Sequence, residues 1–261
     1  MNVDLLFDPL FRVPLAVGLL LSLLLPLLGL YLRLRQEWLA ALGFAHLAGA
    51  GGVLASLAGL PVLLLALLVA GAGVLAQGLL RRPSNDVYAC MILLGWSVML
   101  LGASFSHHAQ LLGQALVDGQ LYFAGLDHLV GAVLFAIVTA LALPFLSRRL
   151  LRIRLFPGQD QANGAPVRAL GLLFNGLVAV GVGLGATAIG VMAAFALMFV
   201  PAWIAFALAP GWRPAVVLAM VLGLVAYVLA FATAMLLDLP FGPVCVAWLV
   251  AMTPLRLIPR R

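Results

Sequence analysis

Lysine is absent from the chain, and charge of either sign is scarce. Only 8% of the 261 residues are charged, against roughly 25% in soluble domains, which excludes a water-soluble globule. Intrinsic disorder is excluded as well, because it requires low hydrophobicity and high charge. Cysteine is almost missing: Cys90 and Cys245 both lie in apolar segments and make no disulfide framework. The first residues, with Asp4 and Asp8 and no basic n-region, are not expected to form a cleaved signal peptide.

Ionisable residues at membrane depth are scarcer still. Asp86, Asp127 and Asp238 fall near the ends of apolar runs, which leaves His46 as the deep candidate. A multi-step ion relay of the kind a self-contained secondary carrier needs is hard to build from that set. Neither paired acids nor an H-E-x-x-H helix is present, so an intramembrane enzyme has no constellation to work with. If the protein moves a solute, the energy is expected to come from a partner, as in a permease subunit.

What is abundant is hydrophobicity: 66% of side chains are apolar, and the mean hydropathy is +1.22. A hydrocarbon span takes about 20 apolar residues. Runs between breakers fall at 13–34, 39–59, 61–80, 87–105, 128–147, 169–187, 188–209, 214–237 and 240–257. The chain therefore reads as one all-α, polytopic transmembrane bundle over 1–261, with eight to nine spans and no separate soluble domain. The pairs 39–80 and 169–209 are nearly continuous and hard to divide.

All 14 basic residues are arginine, and the formal charge is +6. The arginines cluster between apolar runs, which is topology information and no nucleic-acid footprint. Arg33 and Arg35, Arg81 and Arg82, the group Arg148, Arg149, Arg152, Arg154 and Arg168, then Arg213, and finally Arg256, Arg260 and Arg261 all fall on one side if nine spans run from an outer N-terminus to an inner C-terminus. Arg12 is the exception.

Two loops are longer than the rest. Residues 106–127, on the expected outer side, are compatible with a small surface helix. Residues 148–168, on the cytoplasmic side, are the most polar stretch; the Pro157–Gly158 breaker and the later Gly–x–Pro read as one or two capped helical turns. By itself that pattern suits either a docking element for a soluble motor or an ordinary polar connector. Glycines at 49–52 and 181–185 suggest close helix packing through small residues, and Pro26 and Pro201 are expected to bend their spans.

These segments resemble the membrane subunit of the zinc/manganese/iron class of ATP-binding-cassette importers, the high-affinity zinc uptake permease type. The family's F-D-P-E-x-A-x-A-x-G-x-P loop is similar to 155–166, with Pro157, Ala162, Gly164 and Pro166 in place. Gly190, Pro201 and Ala202 match the seventh span. Asp238, Pro240, Gly242 and Pro243 match the D-x-P-x-G-P entry to the last, and Asp86 keeps the E-D-x-x-I-G stretch. The resemblance implies a homodimeric permease in the bacterial cytoplasmic (inner) membrane, in contact with membrane lipid. Two ATP-binding subunits would dock on its cytoplasmic face, and a periplasmic or lipid-anchored substrate-binding protein would deliver the metal. ATP would be hydrolysed on the partner, so the chain itself is expected to be no enzyme and to hold no covalent cofactor. The loop at 148–168, with Pro157, Asp160, Gln161, Gly164 and Pro166, would be the element that couples to the ATPase.

One departure concerns the cargo. The family's second span carries D-A-x-S-H, an acid and a histidine on one helix face, a sensible transient ligand pair for zinc, manganese or iron. In this chain the segment reads Leu42-Gly43-Phe44-Ala45-His46. Without the acid, three readings stand open: the metal travels as a chelate, a softer ligand substitutes, or this chain is a non-transporting paralogue or scaffold that docks an ATPase. His46 is accordingly either a pathway ligand or a packed, hydrogen-bonded span histidine. On the outer side, His107, His108, Asp127 and His128 are candidates for contact with the delivering protein, or belong to a solvated loop. The adjacent His107 and His108 point apart on a regular element and chelate poorly together. Asp86 and Cys90, four apart, are a minor candidate for a soft-cation exit site against the ordinary reading of cysteine as a small apolar residue.

Overall fold

The computed structural model describes residues 11–79, 84–119, 121, 124–155 and 167–257. They form ten α-helices and a closing 3-10 turn, with no strand among them. In order the helices are α1 (Arg12–Arg35), α2 (Leu39–Ala58), α3 (Val62–Leu79), α4 (Asn85–Ala103), α5 (His107–Asp118), α6 (Leu126–Leu155), α7 (Val167–Ala188), α8 (Val191–Leu208), α9 (Trp212–Leu237) and α10 (Phe241–Ala251). Eight of them, all but α5 and α10, are long and apolar enough to cross a membrane.

Because both faces of these helices are apolar, hydrophobicity cannot tell inside from outside, and side-chain size does so instead. In α3 the buried stripe is Ala66, Ala70, Gly73, Val74 and Gln77, while Leu64, Leu68, Leu75 and Leu79 face out. In α9 the buried face is Ala215, Ala219, Gly223, Ala226, Ala230 and Ala234 with the aromatics Tyr227 and Phe231, while Val217, Val221, Val225 and Val228 lie outside. Lipid offers leucine as good a solvent as another leucine does, so helices associate where small residues let backbones approach. The expected glycine packing holds: Gly49, Gly51 and Gly52 in α2 and Gly181, Gly183 and Gly185 in α7 are all buried.

The helix at the centre is α2. Some 78% of its apolar window is buried, against 28% for α3, α4 and α6, and it packs against α3, α4, α5, α7 and α8. It runs close to α4, where a Cβ at Gly95 would lie 2.6 Å from the His46 carbonyl carbon.

The two ends of the bundle differ in chemistry. At one end, Tyr31 of α1 donates its hydroxyl to Ser147 Oγ of α6 (2.8 Å) and packs edge-on against Trp212 of α9. Arg33 lies within electrostatic reach of Arg256, whose guanidinium sits 4.0 Å from the Trp203 ring centre. Arg33, Arg35, Arg148, Arg149, Arg152, Arg168, Arg213 and Arg256 therefore share that end. At the other, Gly119 closes α5 in the left-handed region (φ 70°) and is wedged between Ile189 and Gly242. That end carries Asp118, Asp127 and Asp238, with Arg12 at the start of α1.

Two boundaries differ from expectation. The ninth apolar run, 240–257, is an 11-residue α10 followed by a 3-10 turn at Thr253–Leu257. It nonetheless returns the chain from the Gly242 end to the Arg256 end, because Met252 and the 3-10 turn trade helical compactness for reach. And α6 runs through Leu155, since RRLLRIRL consists largely of good helix formers. With α7 starting at Val167, the connection expected over 148–168 contracts to 156–166. The surface helix expected within 106–127 is α5, whose Ser106 side chain accepts a hydrogen bond from Ala109 N–H (3.1 Å) at its N-cap.

If the α2–α4 approach organises the bundle, Gly95→Leu should lower stability in detergent by at least the ~1–3 kcal/mol of an overpacked core. Leu93→Ala, on the exposed flank of the same helix, should leave the thermal transition nearly unchanged. Equal transitions for the two variants would place the critical contact elsewhere.

Candidate functional site

His46 sits in the middle of α2 with 8% exposure. Its Nδ1 lies 2.9 Å from the Leu42 carbonyl oxygen one turn back. A carbonyl only accepts, so Nδ1 carries the proton and the neutral ring presents Nε2 as its lone-pair nitrogen. That is the arrangement in which a metal-ligating histidine is oriented by its second nitrogen. The position one turn earlier on the same face, however, is Leu42, and among the described residues no group of three or more His, Cys, Asp or Glu side chains could hold a metal ion. A single protomer thus presents one imidazole donor and, among the described residues, no preformed metal centre.

The outer-face candidates separate into two places. His107 and His108 lie exposed in the first turn of α5. Asp127 and His128 open α6, where His128 Nδ1–H donates to Asp127 Oδ1 at 3.1 Å, and the carboxylate at a helix N-terminus is favoured by the helix dipole. Between α4 and α5 runs a groove of about 540 Å³ lined by Met99, Ser104, Gln110, Gln114 and Asp118 among others. Asp86 and Cys90 are both exposed on α4, and Cys245 is buried in α10. The candidate loop residues Pro157, Asp160, Gln161, Gly164 and Pro166 lie outside the described residues.

The most developed polar constellation is one that reading along the sequence missed. At the arginine-rich end, Arg35 closes α1 and Glu37 lies in the turn to α2; Arg35 Nη2 reaches both Glu37 oxygens at 2.8 and 2.9 Å. Tyr88 of α4 donates its hydroxyl to Glu37 Oε2 at 3.0 Å. Asn175 of α7 donates from Nδ2 to Gln77 Oε1 of α3 at 3.0 Å and to the Tyr88 hydroxyl oxygen at 3.1 Å. Arg35 Nη1 extends to the Gly171 carbonyl of α7 at 3.4 Å, and its guanidinium lies 5.3 Å from the Phe174 ring centre. Tyr88 and Asn175 are fully buried and Gln77 nearly so. Five segments meet at this junction with no net charge, and the ion pair at its rim is only partly exposed, which is how charges drawn in from water become tolerable. The available signal was compositional: Glu37 is the only glutamate in the chain, and Gln77 and Asn175 interrupt otherwise apolar runs.

Comparison with known proteins follows the same outline. A family model described as the ABC 3 transport family matches residues 7–258. The fold is similar to that of a chain in a structure titled "PsaBC from Streptococcus pneumoniae in complex with Fab", with a TM-score of 0.85 at 14% identity, covering 99% of this chain and 95% of that one. It is also similar to a chain titled "An inward-facing conformation of a putative metal-chelate type ABC transporter", with a TM-score of 0.77 at 16% identity, covering 94% and 84% respectively. No curated protein matches in sequence.

Replacing Asn175 by leucine strips a buried acceptor, Gln77 Oε1, of its donor. The variant should lose ~1–3 kcal/mol of stability, the usual consequence of orphaning a buried polar atom. Asn85→Ala, which removes only an exposed bond to the Gln36 carbonyl, should change it by less than ~0.5 kcal/mol. Thermal unfolding of the two purified variants in one detergent makes the comparison.

Proposed function

The chain belongs to the ABC 3 transport family, and from that premise we propose that it is the permease subunit of an ATP-driven importer for a transition-metal ion (zinc, manganese or iron) or a metal chelate. The observation that carries the reading is the family match over 7–258 on a fold with eight candidate membrane spans. Two copies form the transport unit, an ATP-binding subunit docks on the arginine-rich end, and a substrate-binding protein delivers cargo to the end bearing α5. The positive-inside rule supports that orientation in a bacterial cytoplasmic membrane. The permease does no chemistry on its cargo; nucleotide-driven closure of the ATPases rocks the protomers between outward and inward access.

His46 is the cargo ligand in this reading. With Nδ1 committed to Leu42 O, Nε2 is available to a metal, and a homodimer brings two such nitrogens. Two neutral imidazoles do not offset the charge of a bare divalent ion in an apolar pathway, where an uncompensated charge is costly. A chelate that carries its own anionic ligands removes that difficulty, and the fold likeness to a protein titled as of putative metal-chelate type is in keeping with it. Leu42, in the place of the family's acid, equally favours a second reading: a paralogue that docks an ATPase and conducts nothing.

Element-resolved mass spectrometry of metal-starved cells, with the gene deleted and then restored, separates these readings. One metal falling on deletion and returning on restoration supports import; no change in a strain lacking other importers supports the non-transporting paralogue. In the transporting case, His46→Ala should cut uptake ~10-fold or more without weakening assembly, since even groups that merely orient a ligating histidine are worth that much. Wild-type uptake by that variant would return His46 to a packing role. Deleting 157–165 should abolish co-purification of the ATP-binding subunit, whereas its retention would overturn the coupling role of Pro157, Asp160, Gln161, Gly164 and Pro166.

A further inference from the structure

We propose that the partly buried cluster of Arg35, Glu37, Gln77, Tyr88 and Asn175 is a two-state latch that passes movement of α7 to the turn of α2 bearing His46, with Glu37 as its positioning residue. The proposal rests on the ATP-driven reading above, because α7 begins directly after the connection assigned to the ATPase.

Geometry makes α7 the input. Its first three turns meet the α1–α2 junction at three successive places: the Gly171 carbonyl accepts from Arg35, the Phe174 ring lies beneath the same guanidinium, and Asn175 Nδ2 lies 3.5 Å from Glu37 Oε2. An axial or rotational shift of α7 alters all three together. The output is α4 and α2. Tyr88 packs edge-on against Phe44 with ring centres 5.8 Å apart, and α2 passes so close that a Cβ at Gly43 would stand 3.2 Å from the Tyr88 carbonyl oxygen. Gly43 and Phe44 belong to the same turn of helix as His46. Contact is continuous from the start of α7 to the candidate ligand.

Continuity alone does not make a switch; a bistable element is also needed. Hydrogen-bond accounting supplies one. Asn175 Nδ2 faces three acceptors, Gln77 Oε1 at 3.0 Å, the Tyr88 hydroxyl at 3.1 Å and Glu37 Oε2 at 3.5 Å, but has two protons to give. Its Oδ1 is buried with no partner among the described residues. The Tyr88 hydroxyl has a single proton, which it donates to Glu37. If Glu37 withdraws with Arg35, that proton is free to swing to Asn175 Oδ1 once the Asn175 and Gln77 amides turn together, so that Gln77 Nε2 becomes the donor between them and the orphaned oxygen is satisfied. The cluster thus has two discrete bonding patterns, and the position of Glu37 relative to α7 selects between them.

The test is coupling, which a merely structural role does not alter. The permease is co-expressed with its ATP-binding subunit, reconstituted in lipid vesicles with its substrate-binding protein, and assayed for ATP hydrolysis and for uptake of zinc, manganese and iron supplied both as salts and as citrate chelates. Glu37→Gln preserves shape and removes the charge that ties Arg35 to Tyr88. Assembly and hydrolysis should persist while metal imported per ATP falls about tenfold, within the range of coupling between sites. Tyr88→Phe, which deletes the swinging proton and keeps the ring on Phe44, should uncouple in the same way. Imported metal per ATP equal to wild type in both variants overturns the latch and leaves the ATP-driven reading standing. Hydrolysis and uptake falling in proportion, with a lowered melting temperature, makes the cluster a structural staple and also overturns it. A wild-type complex that neither hydrolyses ATP nor imports metal overturns the ATP-driven reading and the latch with it.

Discussion

In a hydrocarbon solvent a leucine gains nothing by leaving lipid for another leucine, and everything else in this protein follows from that constraint. Helices hold together only where packing is dense, so in α3 and α9 small residues line much of the inner face and leucine or valine the outer one, while α1 buries Leu21, Leu25 and Leu28 beside its glycines. The approach of α4 to α2 at Gly95 is the case that bears on the site: there the neighbour of the glycine is the main chain of His46 itself. That contact fixes the height and rotation of the histidine on which the proposed cargo path depends.

The same solvent dictates how polar groups are handled. Isolated hydroxyls in the spans bond back to their own helix, Ser22 to Leu19 O and Thr187 to Gly183 O; Thr233 does so to Leu229 O while also accepting from Trp248 Nε1 of α10. His46 likewise bonds back to its own helix, through Leu42 O. The cluster around Glu37 differs because its members bond between helices, tying α1, α3, α4 and α7 at the end where the arginines gather. Single bonds also cross between helices, as from Tyr31 to Ser147 and from Trp248 to Thr233, but a charged and amide-rich junction of several is a place where relative movement of helices has a discrete energetic consequence.

Much of the fold was legible along the chain. The apolar runs at 39–59, 61–80 and 214–237 lie within a few residues of α2, α3 and α9, and the surface helix inside 106–127 is α5. Boundaries were lost where a helix continued past its apolar part, as α6 does through Arg148, Arg149 and Arg152, because arginine ends a hydrophobic run without ending a helix. The short α10 could not be told from a full span, since hydropathy counts residues and says nothing of whether the last few are α-helical. Of the candidate site, His46 was legible as a residue type at a depth. Glu37, Gln77, Tyr88 and Asn175 were not, because each alone looks like an ordinary polar residue in or beside an apolar segment.

Composition and the spacing of arginines by themselves determined that this is a many-span membrane protein with one basic end, because lipid solvation acts on each segment independently of the others. Ordered motifs along the chain also pointed to its family. Tertiary structure decided what no segment carries alone. Residues 35, 37, 77, 88 and 175 converge only after five segments are packed by residue size, and a bond such as that from Asn175 to Gln77 spans 98 positions of chain. Which small-residue stripe faces which is a property of the assembled bundle, and so, therefore, is the meeting of its polar side chains.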